Sequence, residues 1–230
     1  MLRKIGREKE VAFTMEEKTI SMTEKTYKVL KTFIQNCDYM PGQPISEKGL
    51  CEALGCGRTP VREALLALRD KGLVEIFPRK GIRVAGFTRE QISEIYQIRK
   101  LVEPTVCVQY CLRFDKAVLL DYDRKFQMVD RSDDRAYYQL DTEFHRWLVA
   151  AAENRTLDTF FAELMEVQYR FGIYSARIGT AEKHDYYTEH HQIIEALLAE
   201  DVARIERALI AHTNYSEVIA LKTLAAMDTL

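Results

Sequence analysis

The sequence predicts a mainly α-helical chain in which three helices precede a small basic β-hairpin and an all-helical region fills the remainder. Gly55-Cys56-Gly57 joins two short amphipathic segments by a tight glycine turn. Two short β-rich runs, Leu73 to Phe77 and Ile82 to Val84, then flank Pro78-Arg79-Lys80-Gly81, which is typical of a hairpin tip. No strand pattern follows Phe87. These three observations predict a two-part protein.

Composition and charge favour a soluble protein with one basic part. The chain has 230 residues and a formal net charge of −2. Residues 1–87 contain 16 lysines and arginines against 11 acidic residues, whereas the remainder contains 17 against 24. A basic module joined to an acidic one suits binding to nucleic acid by the first module only. The absence of a long apolar run or a signal peptide argues against a membrane location, so we expect a cytoplasmic protein.

The first helix is predicted from Thr23 to Cys37, because apolar residues recur there at helical spacing. Residues 1–22 are charged and weakly patterned, so we expect an N-terminal arm. Residues 23–85 form the first predicted domain, and residues 86–230 form the second.

A second helix is predicted from Glu47 to Leu54 and a third after Gly57. Thr59 is expected to cap the third helix and Pro60 to occupy its first position, where a missing N–H costs nothing. An apolar stripe runs along this helix, whereas its arginines lie on other faces. The stripe contains Val61, Leu65, Leu66 and Leu68, and the arginines are Arg58, Arg62 and Arg69.

An arginine-tipped amphipathic helix can enter the major groove of DNA, where the guanidinium forks reach guanine edges. The same helix taken alone also fits an ordinary surface helix with solvated arginines. Its neighbours favour the first interpretation, because a helix pair joined by a tight turn and followed by a basic hairpin is a winged helix-turn-helix.

The second domain is predicted to be an antiparallel bundle of helices. A helix capped by Thr88 with Gln91 runs to about Leu112, and Pro104 within it predicts a kink or a restart. Further helices are expected at roughly 116–130, 134–152, 156–178, 181–199 and 201–225. Their predicted caps are Asp133, Thr156, Thr180 and Asp201.

Candidate metal ligands occur at helical spacing in the bundle. Asp141 and His145 are four residues apart and share one helix face, and His190 and His212 lie on two later helices. One aspartate and three histidines would suit a divalent transition metal such as Zn, Ni, Mn or Co. Capping, ion pairing or solvation of the histidines explains the same residues. Cys107 and Cys111 are also four apart, which fits core packing, metal ligation or oxidant sensing.

The segment PGQPISEKGLCEALGCGRTPVREALLALRDKGLVEIFPRKGIRVAG resembles the DNA-binding domain of the GntR family of bacterial transcription regulators. The resemblance implies that Lys48, Arg58, Thr59, Arg62 and Gly81 contact DNA. Lys48 stands where many members have arginine, which favours a phosphate contact. The wing residues Arg79 and Lys80 are expected to hold the backbone or reach the minor groove.

The motifs DTEFHRWLVAAAEN, EHHQIIEALLAED and ERALIAHTNY resemble the FCD effector domain of the FadR branch, in its six-helix form. The resemblance implies that Asp141, His145, His190 and His212 bind a metal. The family spacing EHxxIxxA selects His190 rather than His191 as the third ligand.

The same resemblance implies a homodimer on a pseudo-palindromic duplex operator, controlled by a small carboxylate effector at the metal. Arg99, in YQIRKLVEP, resembles an arginine that points at the effector, although an ion pair with Glu103 at i+4 is equally expected. The chain is thus expected to be a regulator, with a repressor favoured, and no enzyme. The alternatives are a metal-dependent enzyme with a DNA-binding appendage and a regulator whose metal is purely structural.

Overall fold

The computed structural model describes residues 20–130, 132–179 and 186–227, and the chain divides into two compact units at Gly86–Phe87. The predicted N-terminal arm lies almost wholly outside the described residues, as do His184 and the predicted cap Thr180. Among the described residues, no helix is both long and apolar enough to cross a membrane.

The first unit begins with helix α1, Met22–Gln35, which starts one residue earlier than the sequence predicted and is capped by Ser21. The Ser21 hydroxyl accepts a hydrogen bond from the Glu24 N–H at 3.1 Å. Helix α2, Glu47–Leu54, has the predicted bounds, because Ser46 caps its start and Gly55 ends it in the left-handed conformation at φ 63°.

Helix α3, Arg58–Asp70, starts one residue before the predicted cap. Gly57 is the capping residue, so Thr59 and Pro60 are the second and third helical residues. The prediction of a Thr59 cap is therefore wrong. Proline is tolerated here because none of the first-turn N–H groups has a partner within the helix. Gly57 has no side chain to accept from these groups, and they remain available to another acceptor.

One face of α3 forms the core of the first unit. Val61, Leu65 and Leu68 are buried as predicted, but Leu66 is 43% exposed and Ala64 takes its place in the core. This face packs against buried residues of the other elements, namely Leu30, Ile34, Tyr39, Ile45, Leu50, Val74, Ile82 and Val84.

The wing is a three-stranded antiparallel sheet in the order β1-β3-β2. Strands β2, Val74–Phe77, and β3, Gly81–Val84, form the predicted hairpin, whereas β1, Pro44–Ile45, was not predicted. Two residues carry too little periodicity to indicate a strand, and β1 exists because it pairs with β3. Gly81 has φ 103°, a conformation that favours glycine at the hairpin tip.

The second unit is a helical bundle, as predicted. Its described helices are α4 Arg89–Gln109, α5 Lys116–Met128, α6 Asp134–Ala150, α7 Arg155–Arg177, α8 Tyr186–Leu198 and α9 Val202–Met227, with a short 3₁₀ turn at Cys111–Arg113.

Details within the bundle differ from the sequence prediction. Helix α4 continues through the buried Pro104, so the predicted restart does not occur. Asn154, rather than Thr156, caps α7, because its side chain accepts from two N–H groups of the first turn. Asp133 caps α6 as predicted. Cys107 is fully buried in the core, and all five cysteines are free thiols.

We predict that Leu65→Ala lowers the free energy of unfolding of the first unit by about 2–5 kcal/mol, because it leaves a cavity at a position only 1% exposed. Leu66→Ala, on the next residue of the same helix, should cost less than about 1 kcal/mol. Denaturant unfolding followed by circular dichroism measures both. Equal losses in the two variants would contradict the assigned buried face.

Candidate metal centre and DNA-reading surface

The residues predicted to contact DNA are all exposed on the first unit. Three lie on the first two turns of α3, one on the first turn of α2, and three at the tip of the wing: Arg58, Thr59, Arg62, Lys48, Arg79, Lys80 and Gly81. The core face of α3 is thus turned inward, and its arginines are left to solvent.

A carboxylate on α2 holds one of these arginines, which sequence analysis missed. Arg62 Nε donates to Glu47 Oε2 at 2.9 Å, and this pair joins the two helices of the helix-turn-helix. Within the described part of the chain, Arg62 uses only its Nε edge, so its remaining N–H groups can reach another acceptor. Lys48 lies 3.8 Å from Glu52 and is 81% exposed, which leaves it free to move toward a phosphate.

The four predicted metal ligands lie together in the second unit. Asp141 and His145 project from α6, His190 from α8 and His212 from α9. One ligand atom from each lies within 4.8 Å of the others, and all four residues are buried. They come together because the i and i+4 positions of α6 share one face, against which α8 and α9 each present one histidine.

Distances within the cluster show which atoms converge. His190 Nε2 lies 3.1 Å from Asp141 Oδ1, and His145 Nε2 lies 3.6 Å from the same oxygen. His145 Nε2 and His212 Nε2 are 3.1 Å apart. The Nε2 atoms of all three histidines therefore meet at the Asp141 carboxylate.

Aromatic rings pack around the cluster and restrict its histidines. The ring of Phe126 stacks on that of His190, with centroids 4.0 Å apart and planes at 17°. Phe144 contacts both His145 and His190 by ring edges. His191, the competing candidate, lies outside the cluster, where its Nδ1 is 2.7 Å from Asp123. Of the two neighbouring histidines, His190 therefore lies in the cluster and His191 does not.

Arg99 is fully buried beside the cluster and forms the ion pair with Glu103 that the i+4 spacing indicated. Glu103 Oε2 is also 2.7 Å from His145 Nδ1, a contact that sequence analysis missed. Arg99 Nη1 is buried and has no hydrogen-bond partner among the described residues. The two expectations for Arg99 are therefore compatible, because one edge of the guanidinium pairs with Glu103 and another nitrogen is unsatisfied.

Charge interactions set the protonation states of the cluster. Burial by itself raises the pKa of Glu103, but Arg99 and His145 outweigh it and lower that pKa to about 2. Burial also opposes the charge on Asp141, yet His145 and His190 hold its pKa well below the usual range. The pKa of His212 falls well below its ordinary value through burial and the neighbouring histidines. Asp141 and Glu103 are thus anions, and His212 is neutral.

A cleft of about 50 Å³ opens beside Asp141. Tyrosines from α4 and α6 and polar side chains from α7 and α9 line it, among them Tyr96, Tyr137, Tyr138, Gln168, Ser175 and Ser216. Gln168 Oε1 is buried and accepts no hydrogen bond within the described part of the chain. Phe171, Ile219 and Ala220 also line the cleft, so it is suited to a small molecule with both polar and apolar parts.

Comparison with known proteins places this chain in a family. Residues 22–84 match the family of bacterial regulatory proteins called the gntR family, and residues 94–215 match the FCD domain. The chain belongs to the GntR family. Its FCD domain assigns it to the FadR-type branch. The resemblance drawn from the motifs is confirmed.

Relatives of this GntR-family chain are regulators. It is 25% identical over 202 residues to the HTH-type transcriptional repressor RspR of Escherichia coli K12, covering 84% of this chain and 86% of RspR. It is 27% identical over 186 residues to the gluconate operon transcriptional repressor of Bacillus subtilis 168, covering 77% of this chain and 75% of that protein. The chain is therefore a DNA-binding transcription regulator.

Solved structures show the same fold. The crystal structure of a putative GntR regulator from Rhodococcus sp. RHA1 superposes with a TM-score of 0.76 at 22% identity, covering 88% of this chain and 98% of that one. Escherichia coli McbR/YncC gives 0.70 at 23% identity, covering 88% and 98%.

We predict that the metal-free second unit loses stability as pH falls from 4.5 toward 2. The pKa of Glu103 is about 2 in the folded chain, against a reference value of 4.5. In this window the unfolded chain binds more protons, so the stabilisation is complete above pH 4.5 and disappears toward pH 2. The lowered pKa of Asp141 acts in the same direction. Denaturant midpoints measured in chelator between pH 6 and 3 test this.

Glu103→Gln provides the control for the pH prediction. This variant should be less stable at pH 6 and should lose less stability on acidification, because one of the titrating carboxylates is gone. Identical acid sensitivity in the variant and the natural chain would show that Glu103 does not titrate as assigned.

Proposed function

We propose that this chain is an operator-binding repressor controlled by a small organic acid, which binds at a divalent transition metal held by Asp141, His145, His190 and His212. One observation carries the proposal: a buried aspartate and three histidines converge within 4.8 Å beside a buried arginine, one nitrogen of which has no hydrogen-bond partner among the residues that the structure describes. A DNA-binding unit precedes this cluster in the same chain.

The donor set fits a metal ion. Three imidazole nitrogens and one carboxylate oxygen suit Zn, Ni, Mn or Co, which accept mixed nitrogen and oxygen ligands. The lowered pKa of Asp141 keeps this ligand anionic, and the neutral state of His212 leaves a ring lone pair for coordination. When bound, a metal that accepts six ligands would supply open positions for the oxygens of an acid.

The surroundings of the cluster favour an anionic effector. Arg99 Nη1 is buried and donates to no described residue, and a carboxylate oxygen is the acceptor that satisfies such a donor best. The cleft beside Asp141 holds only about 50 Å³ and is lined by hydroxyl and amide groups together with apolar side chains. A small hydroxylated acid would match both features. Its carboxylate would pair with Arg99, while Gln168 and the tyrosines would meet its hydroxyl groups.

On the DNA side, Arg58, Thr59 and Arg62 would read base edges or adjacent phosphates from the start of α3. Lys48 and the wing residues Arg79, Lys80 and Gly81 would hold the backbone or enter the minor groove. A homodimer would present two such surfaces to the half-sites of a pseudo-palindromic operator. Binding of the acid would shift the relative placement of the two DNA-binding units and release the operator. By linkage, operator DNA would weaken effector binding equally.

Two other interpretations of the cluster make different predictions. A metal-dependent enzyme usually needs a general base near the metal. Glu103 lies beside His145, but a pKa of about 2 makes it a weak base near neutral pH. Glu143 is exposed and accepts from Gln139. A purely structural metal would stabilise the fold without any response to acids.

We predict that Arg62→Ala weakens operator binding roughly tenfold or more, because α3 loses its Glu47-oriented guanidinium. The operator would be obtained by selecting tight binders from a random duplex pool, and affinity would be measured by fluorescence anisotropy. Arg69→Ala is the matched control, because Arg69 is also an exposed arginine of α3 but lies at the C-terminal end of the helix. Operator affinity within twofold of the natural chain would remove Arg62 from the DNA-reading surface.

We predict that elemental analysis will find stoichiometric metal in the purified natural protein and that the double variant His145→Ala, His212→Ala will lose it. Two of four ligands are removed, so the remaining pair cannot hold a divalent ion tightly. His191→Ala should keep the metal, because His191 pairs with Asp123 outside the cluster. Unchanged metal content in the double variant would place the metal elsewhere. Melting temperatures with and without chelator and acids would separate a sensing metal from a structural one.

A further inference from the structure

Two carboxylates lie behind the cluster, each on the outer nitrogen of one histidine. Glu103 Oε2, from α4, is 2.7 Å from His145 Nδ1. Glu189 Oε2, from the first turn of α8, is 3.0 Å from His212 Nδ1. Neither glutamate belongs to the group of four converging ligands.

These contacts fix which nitrogen of each ring carries a proton. An ionised carboxylate only accepts hydrogen bonds, so the Nδ1 atom facing it must be the donor. An imidazole that keeps its hydrogen on Nδ1 can coordinate a metal only through Nε2. The Nε2 atoms of His145 and His212 are 3.1 Å apart at the centre of the cluster, which is where lone pairs must point to bind a shared ion.

We propose that Glu103 and Glu189 are positioning residues that hold His145 and His212 as Nδ1–H donors with Nε2 directed at the cluster centre. The inference deepens the metal site proposed above and rests on it for its effect on metal affinity. It makes a separate claim about the metal-free protein, in which the two Nδ1–H···carboxylate hydrogen bonds are already formed.

The two glutamates differ in what else they contact. The Glu103 side chain is 0% exposed and also accepts from Arg99, so a single carboxylate joins the arginine to a metal ligand. The Glu189 side chain is 18% exposed and lies on the helix that supplies His190. Because Glu103 bridges Arg99 and His145, an acid that draws Arg99 toward itself would also change how His145 is held. Glu103 would thus couple the binding of the acid at Arg99 to the binding of the metal at His145.

The metal test compares Glu189→Gln with Glu195→Gln, a more exposed glutamate on the same helix that pairs with Arg204. Zn²⁺ affinity would be measured by competition with a chromophoric chelator. Glu189→Gln should bind Zn²⁺ about 10- to 100-fold more weakly, which is the effect typical of losing such a partner. Glu195→Gln should match the natural chain. Zn²⁺ affinity of Glu189→Gln within twofold of the natural protein would overturn the assignment of Glu189.

Glu103→Gln should weaken Zn²⁺ binding by a similar factor, but it also leaves the buried Arg99 without its counter-charge. Its fold must therefore be checked by circular dichroism before affinity is compared. The double variant Arg99→Met, Glu103→Gln removes the unpaired charge if the single variant does not fold. If either folded variant retains natural Zn²⁺ affinity, Glu103 has no positioning role.

A spectroscopic measurement on metal-free protein separates this inference from the metal site itself. In protein labelled with ¹⁵N-histidine, His145 and His212 should each show a downfield, slowly exchanging proton bonded to Nδ1. Each signal should move upfield or vanish in the matching Glu→Gln variant and stay in Glu195→Gln. Failure of the natural chain to bind metal would reject the proposed function alone, whereas the absence of both Nδ1–H signals would reject the positioning role.

Discussion

The second unit depends on one buried electrostatic chain, in which Arg99 pairs with Glu103 and Glu103 holds His145. Charges are expensive to remove from water, and they persist in an interior only when each is paired and hydrogen-bonded. Here α4 supplies the cation and the carboxylate, and α6 supplies the imidazole. The helices must therefore keep one relative position, because any separation would strand a charge. The need to pair every buried charge makes this core unfavourable to form, and the same need fixes how α4 and α6 pack.

That geometry explains how a bundle of amphipathic helices can contain a buried cluster of ionisable side chains. Phe126 and Phe144 exclude water from the histidines, so electrostatic interactions there are stronger than at a surface. The unsatisfied nitrogen of Arg99 is the one part of the chain of charges that protein groups leave incomplete among the described residues. A ligand that accepts a hydrogen bond from this nitrogen would gain binding energy, because the arginine has already been removed from water when the chain folds.

In the first unit, the buried face of α3 and its exposed arginines lie on different sides of the helix. The inward face of α3 carries Val61, Leu65 and Leu68, so its orientation is set by burial, while Arg58 and Arg62 project outward. Glu47, on the neighbouring helix α2, then restricts the orientation of the Arg62 side chain. Both units thus use a carboxylate to orient a basic side chain, Glu47 for an arginine at the surface and Glu103 for a histidine in the core.

The sequence by itself determined the features that arise from local periodicity and turn chemistry. The helix pair, the hairpin, the bundle and the convergence of Asp141 with His145 all follow from spacings of a few residues. Tertiary structure alone decided the exposure of Leu66, the pairing of β1 and the contacts of Glu103 and Glu189 with histidines on other helices. The physical reason is that burial and cross-helix hydrogen bonds depend on how complete elements pack, and no spacing within one helix encodes them.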